Sequence, residues 1–185
     1  MSRSNGFSLL DLLITLAIAS ILITSGAGTI RLLRDTFQTV EVNTFVSLLN
    51  MARSAAITRQ RDIVFCPSSD GRRCSAATDF TWWHNGALLF SDDNGNHKLD
   101  TTDVVLRWHV PDDAQLRIKS SRHRSRVVYQ PNGFAGGSNI TFTICGKRAA
   151  ANATGRYIVV SNTGRARVAE KPAGGQADQR EETCA

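Results

Sequence analysis

The stretch that decides the fold is residues 6–30, GFSLLDLLITLAIASILITSGAGTI. From Leu12 to Ile30 it carries no charge over 19 residues, and a helix of that length crosses roughly the 30 Å hydrocarbon core of a bilayer. Residues 1–6 carry Arg3 and no acidic residue, which favours a cytoplasmic N-terminus. The pattern predicts a single-pass transmembrane helix over residues 7–30.

The apolar pattern continues beyond this segment as one stripe of a helix. Its members recur at three- and four-residue steps: Phe37, Val40, Thr44, Leu48, Met51 or Ala52, and Ala55. Polar residues such as Gln38 and Glu41 lie between them, as in a helix with one buried face. The sequence therefore predicts one helix from about Ser8 to Arg59, whose amphipathic part, residues 31–61, packs on a globular head.

The periodicity changes after Arg61. Six short runs rich in β-branched and aromatic residues are separated by Gly, Asn, Asp and Pro, as strands are. They cover residues 62–66, 86–90, 104–108, 126–129, 140–144 and 157–160. Their spacing indicates antiparallel meanders rather than parallel units joined by helices. The predicted fold class is α+β, with a long N-terminal helix packed on an antiparallel β-sheet head over residues 62–171, followed by a tail over residues 172–185.

Composition places this head among globular proteins. The chain has 185 residues, of which 42% are hydrophobic and 21% charged, so collagen-like, disordered and polytopic membrane proteins are excluded. The four cysteines can be oxidised if the head is exported, and four cysteines allow three pairings. We favour Cys66 with Cys74, which closes a short loop, and Cys145 with Cys184, which pins the tail to a strand. The cysteines and histidines show no zinc-ligand spacing, and we expect no metal and no cofactor.

One polar segment, residues 92–103, resembles a calcium loop at first sight. Asp and Asn side chains supply oxygens at several positions, but His97 stands where an EF-hand needs glycine and Asp103 stands where it needs a bidentate Glu. A polar connection between strands, with Gly95 in a tight turn, explains the same residues. We favour the polar connection.

Charge is divided unevenly along the head. Residues 79–113 carry seven Asp against one Lys and one Arg, whereas residues 115–171 carry eleven Lys and Arg against one Glu. The basic segment is a plausible footprint for a polyanion, and a solvated set of surface charges is an equal alternative. Catalysis has little support, because the chain has no nucleophile elbow, no phosphate-binding glycine loop and no His-Glu-x-x-His pair. We expect no enzyme.

The segment Gly6-Phe7-Ser8-Leu9-Leu10-Asp11 resembles the class III leader junction of type IV prepilins and type II secretion pseudopilins. The resemblance implies that prepilin peptidase removes residues 1–6 after Gly6 and N-methylates Phe7. It also implies that a carboxylate at the fifth mature position serves assembly. That position usually holds Glu and here holds Asp11, one methylene shorter. An ordinary signal anchor is the alternative.

The head resembles the GspH/FimT-like minor pilins and pseudopilins. The matching stretches, in chain order, are residues 52–57, 65–68 with 70–71, Trp83 with Gly86, 90–96, 105–107 and 160–168. Gly164-Arg165-Ala166-Arg167 matches the Gly-Arg-x-Arg motif of FimT-like pilins, which implies binding of double-stranded DNA during natural transformation. Two arginines at i and i+2 on an extended segment project to one side, and Gly164 allows a close backbone approach. Lys147, Arg148 and Arg156 extend the expected patch.

These observations predict a minor type IV pilin that joins other pilin subunits through helix packing. It would be held in the inner membrane with its head in the periplasm, and then enter a pilus on the cell surface. DNA binding through the Gly-Arg-x-Arg patch is the expected function. A structural minor pilin that primes pilus assembly, and a GspH-like pseudopilin of a type II secretion system, are the alternatives, because a similar motif occurs in pseudopilins not known to bind DNA.

Overall fold

The computed structural model describes residues 9–76, 81–111, 116–146 and 155–169, without the side chains of residues 22–36. In this part of the chain one helix, α1, covers Leu9–Arg59. Eight strands of the described residues follow it in chain order: β1 Asp62–Pro67, β2 Ala87–Asp92, β3 Val104–His109, β4 Leu116–Ser120, β5 Val127–Tyr129, β6 Ile140–Gly146, β7 Arg156–Val160 and β8 Ala166–Ala169. The predicted α+β fold is confirmed.

The chain divides into two compact units, residues 1–37 and residues 38–185. In the first unit the large apolar side chains of α1 that are described are exposed, with exposed fractions from 45% at Phe37 to 77% at Leu9. Within the described residues, no helical segment meets both the length and the apolarity of a membrane span. The predicted leader, residues 1–6, and Phe7 lie outside the described residues.

The second unit contains two antiparallel four-stranded sheets. The first sheet has the strand order β3-β2-β1-β5, and the second has the order β4-β6-β7-β8. In the first sheet Phe65 of β1 faces Leu89 of β2 on one side and Val127 of β5 on the other. In the second sheet Thr141 of β6 pairs with Val159 of β7, which pairs with Arg167 of β8. The strands β3 and β8 are edges of these sheets.

One core lies between the inner faces of both sheets and the C-terminal half of α1. Its centre is aromatic: the ring of Phe45 on α1 lies 5.8 Å from Phe65 and 5.6 Å from Phe142, edge to face in both cases. Trp83 completes the cluster at 4.9 Å from Phe142. All four side chains are fully buried. Such edge-to-face pairs add about 0.5–1.5 kcal/mol each beyond the burial of their area.

The predicted stripe of α1 coincides only in part with the face that packs on this core. Leu48 and Ala52 are buried and Ala55 packs against the core, as predicted. Phe37, Val40 and Met51 are instead 45%, 53% and 43% exposed. The rest of the buried face is formed by Val42, Phe45, Leu49 and Ala56.

Two strands were not predicted, β4 and β8. In β4 the alternation of Leu116 and Ile118 with Arg117 is a period-two signal, and the structure buries both apolar side chains. β8 has only four residues and is exposed along its middle. Its sequence lacks the apolar run that marks a strand, and it was therefore not predicted. β8 carries Arg167, the second arginine of the Gly-Arg-x-Arg motif.

Candidate nucleic-acid interface

The Gly-Arg-x-Arg segment forms the hairpin between β7 and β8. Gly164 donates its N–H to the carbonyl of Ser161 at 2.8 Å, and Ser161 donates its N–H to the carbonyl of Arg165 at 3.2 Å. Gly164 has a φ of +76°, the left-handed conformation that glycine adopts without steric cost. This is a three-residue hairpin loop, in which a turn is followed by a left-handed residue. The loop geometry therefore explains the glycine of the motif.

Gly164 is also buried against a second turn of the chain. A Cβ at this position would penetrate the carbonyl oxygen of Gly133 and would lie 3.2 Å from Cε1 of Tyr129. The same Gly133 oxygen accepts a hydrogen bond of 3.0 Å from Nε of Arg53 on α1. The close approach that Gly164 permits is thus to the backbone of its own domain. Sequence reasoning missed Gly133, although Pro131-Asn132-Gly133 is a turn signature.

The two arginines of the motif are exposed at the edge of the second sheet. Arg165 ends the hairpin loop and Arg167 lies in β8 opposite Val159. Ala166 between them packs against the core, so the arginines alternate with an inward residue and project to the opposite side. Among the described residues, neither arginine forms an ion pair. Their charges are therefore available to an external anion.

The other predicted basic residues are less closely associated with this pair. Arg156 is exposed at the start of β7. It lies two and four residues before the core residues Ile158 and Val160, whereas Arg167 pairs with Val159. Alternation along β7 directs Arg156 to the sheet face opposite that of Arg167. Lys147 and Arg148 lie outside the described residues.

The first pair of cysteines forms a disulfide. Cys66 of β1 and Cys74 are joined with an Sγ–Sγ distance of 2.03 Å. Both pack in a smaller apolar cluster on the outer face of the first sheet, with Leu88 and Phe90. Cys145 is buried in β6. Its predicted partner Cys184 lies outside the described residues, and that pairing stays a prediction.

The carboxylates of residues 92–103 serve the loop itself. The buried Asp92 accepts backbone N–H groups from Gly95, Asn96 and His97 at 2.8–3.2 Å. Asp100 accepts from Asn94 and from Asn96, and the hydroxyl and N–H of Thr102 also bind it. These bonds, those of Thr102 first, hold the pKa of Asp100 far below its ordinary value. No cluster of three metal-ligating side chains is found in the described part of the chain.

A buried polar pair links α1 to the edge strand β3. His109 Nε2 lies 2.8 Å from Oε1 of Glu41, with the two side chains 15% and 6% exposed. The His109 ring also lies edge-on to Phe45 at 6.3 Å. Neither residue had been assigned a role from the sequence, since Glu41 stood among the polar residues of the helix. The pair holds the helix against the sheet.

Known proteins with this architecture identify the family. A sequence profile described as "Type II transport protein GspH" matches residues 41–164, two thirds of the chain. The chain belongs to the GspH family. The matched region ends at Gly164, just before the two arginines.

A solved structure shares this fold. The type IV minor pilin FimU of Pseudomonas aeruginosa aligns over 82% of this chain and 97% of its own, with 22% identity and a TM-score of 0.56. FimU therefore shares the fold. The minor pseudopilin EpsH of the Vibrio cholerae type 2 secretion system aligns over 77% of this chain and 99% of its own, with 13% identity and a TM-score of 0.48. A comparison with curated protein sequences finds no match.

The resemblance to GspH/FimT-like minor pilins and pseudopilins is thus confirmed at the level of the family. Pilins and pseudopilins are structural proteins rather than enzymes, which agrees with the expectation from the sequence.

Proposed function

We propose that this GspH-family protein is a minor type IV pilin that binds duplex DNA through Arg165 and Arg167 during natural transformation. The observation that carries the proposal is the exposure of both arginines, without an ion pair to any described residue, on one side of an edge strand. Guanidinium groups spaced in this way match successive phosphates of a backbone, and such contacts are independent of base sequence.

The long helix supports assembly into a filament. Val40 and Met51 are half exposed on the face of α1 opposite the core, and this face is free for the helices of other pilin subunits. The uncharged segment Leu12–Ile30 would hold the precursor in the inner membrane, with the head in the periplasm, until the subunit enters the pilus. Prepilin peptidase would remove residues 1–6 after Gly6 and N-methylate Phe7, and Asp11 would supply the assembly carboxylate.

A purely structural role, as a priming minor pilin or as a secretion pseudopilin, is the second candidate. The burial of Gly164 against Gly133 favours it, because the hairpin loop and this contact account for the glycine without any ligand. In this case Gly164 serves the fold of the head. DNA binding requires the charges of Arg165 and Arg167, whereas the structural role does not. Neither arginine makes an ion pair with any described residue.

Binding of fluorescein-labelled duplex DNA to the full-length protein in a neutral detergent separates the candidates. We expect fluorescence anisotropy to show binding at low salt, with log K falling linearly against log salt at a slope of about −0.9 for each phosphate contact. The double variant Arg165→Gln/Arg167→Gln should bind at least tenfold more weakly, with a slope about two contacts smaller.

Arg107→Gln is the matched control, because Arg107 is an exposed arginine on the edge strand of the other sheet. It should bind DNA like the unsubstituted protein. Equal binding by the double variant and the control, or no binding at low salt, would remove DNA binding from Arg165 and Arg167 and leave the structural role. Mass spectrometry of protein from cells with prepilin peptidase should show loss of residues 1–6 and one methyl group on Phe7.

A further inference from the structure

A second basic feature lies on the outer side of the first sheet. A cavity of about 390 Å³ is formed by residues 73–76 of the disulfide loop, residues 97–99 of the polar loop and residues 125–126 before β5. We call it the cationic pocket. Arg73, His97, Lys98 and Arg126 line it, and no carboxylate of the described residues does. Its volume falls within the range of about 300–1,000 Å³ that is usual for ligand sites.

Two of its cations have no acidic partner among the described residues. Among the described residues, Lys98 and Arg126 form no ion pair, and Nη1 of Arg126 donates only to the backbone carbonyl of His97, at 2.9 Å. Arg73 is 3.4 Å from Asp70. Oδ2 of Asp62 and Oδ2 of Asp92 lie 3.5 and 3.9 Å from Nε2 of His97.

The walls of the pocket are fixed by covalent and hydrogen bonds. Cys74 in one wall is joined to Cys66 of β1, and His97 in the second wall donates its N–H to the buried carboxylate of Asp92. His97 has a φ of +57°, a conformation that non-glycine residues rarely adopt. These bonds fix the backbone of the two walls from which the side chains of Arg73 and Lys98 project.

We propose that the cationic pocket binds a phosphate group. A tetrahedral dianion offers oxygens to three cationic side chains at once, and the hydroxyls of Ser75 and Ser125 are further donors in the lining. A single carboxylate is satisfied by one bidentate arginine and does not need this set. The phosphate comes either from a small phosphorylated compound or from the backbone of DNA. The cationic pocket shares no residue with Arg165 or Arg167, so it does not depend on the function proposed for these two arginines.

Titration of inorganic pyrophosphate into the full-length protein in a neutral detergent, followed by calorimetry at low salt, tests the proposal. Lys98→Gln/Arg126→Gln should weaken binding at least tenfold. Lys98→Gln alone should weaken it several-fold, and this variant removes no hydrogen bond seen in the structure. Arg72→Gln/Arg107→Gln removes the same charge from exposed arginines outside the pocket and should bind like the unsubstituted protein. Absence of pyrophosphate binding, or equal loss in the control, would overturn the proposal.

Labelled duplex DNA identifies the source of the phosphate. With Arg165→Gln/Arg167→Gln as the background, addition of the pocket substitutions should abolish the remaining DNA binding if the backbone is the source. If the pocket substitutions weaken pyrophosphate binding and leave DNA binding unchanged, the ligand is a small phosphorylated compound. The pyrophosphate result stands whether or not Arg165 and Arg167 bind DNA.

Discussion

Gly164 lies directly against the carbonyl of Gly133, so that the turn before β8 and the turn after β5 touch through their backbones. Each glycine has a positive φ, +76° and +78°. Because β5 belongs to the first sheet and β8 to the second, this contact joins the two sheets at the Gly-Arg-x-Arg hairpin. The Gly133 carbonyl also accepts the hydrogen bond from Arg53, which ties α1 to the same point.

Gly164→Ala should therefore destabilise the protein through two effects. The methyl group strains a left-handed backbone, which costs about 1–2 kcal/mol, and it also collides with the Gly133 carbonyl. We expect a total loss of more than about 2 kcal/mol in the free energy of unfolding, measured by chemical denaturation.

Gly137→Ala separates the two effects. Gly137 has a nearly equal φ of +72°, and nothing lies within 4 Å of an added Cβ. Its substitution should cost only the backbone strain. If both variants lose the same stability, the contact between Gly164 and Gly133 contributes nothing.

The sequence predicted the parts of the fold that depend on local pattern. The helix, six of the strands and the α+β class follow from runs of apolar and β-branched residues and from the turns between them. The packing face of α1 followed only in part: Leu48 and Ala52 are buried as predicted, whereas Val40 and Met51 are exposed. Periodicity shows that a face is apolar, but not whether its own head or another subunit covers it.

The candidate site shows the same division. Arg165 and Arg167 were identified from the resemblance to the Gly-Arg-x-Arg motif of FimT-like pilins, and both are exposed. The role of Gly164 was not accessible from the sequence, because it depends on Gly133, which is distant in the chain. The cationic pocket was also missed, because its lining comes from three segments that are distant in the chain. One of these, residues 97–99, lies within the acidic loop of residues 92–103.

The Cys66–Cys74 disulfide should contribute measurably to stability. It closes a loop with a sequence separation of 8, and the loss of chain entropy in the unfolded state predicts about 2–3 kcal/mol for a loop of this size. Cys66→Ala/Cys74→Ala should lower the free energy of unfolding by that amount in urea denaturation. The prediction fails if the double variant and the unsubstituted protein unfold at the same urea concentration without reductant. Added reductant should destabilise the unsubstituted protein more than the variant.

The Glu41–His109 pair should couple α1 to β3 energetically. Removal of either partner leaves a polar group largely buried without its bond, at a cost of about 1–3 kcal/mol. A double-mutant cycle of Glu41→Ala and His109→Ala should give a coupling energy of about 1 kcal/mol or more. Glu41→Gln, which keeps an oxygen and a donor at the same place, should lose less than Glu41→Ala. Additive effects of the two alanine substitutions would show that the 2.8 Å contact does not contribute.

Asp100 should remain ionised at a pH well below that of an ordinary aspartate. The hydroxyl and N–H of Thr102 bind its Oδ1 at 2.6 and 2.8 Å, and these bonds are the largest cause of its lowered pKa. Because the folded pKa lies below the unfolded one, its stabilising contribution is complete above the unfolded pKa and is lost as the pH falls through the folded pKa.

Titration of the Asp100 carboxyl carbon by NMR measures this pKa. Thr102→Val should raise the pKa of Asp100 towards its ordinary value, whereas Thr101→Val, a neighbour without a bond to Asp100, should leave it unchanged. Equal titration curves for the two variants would show that the Thr102 hydroxyl does not hold the charge.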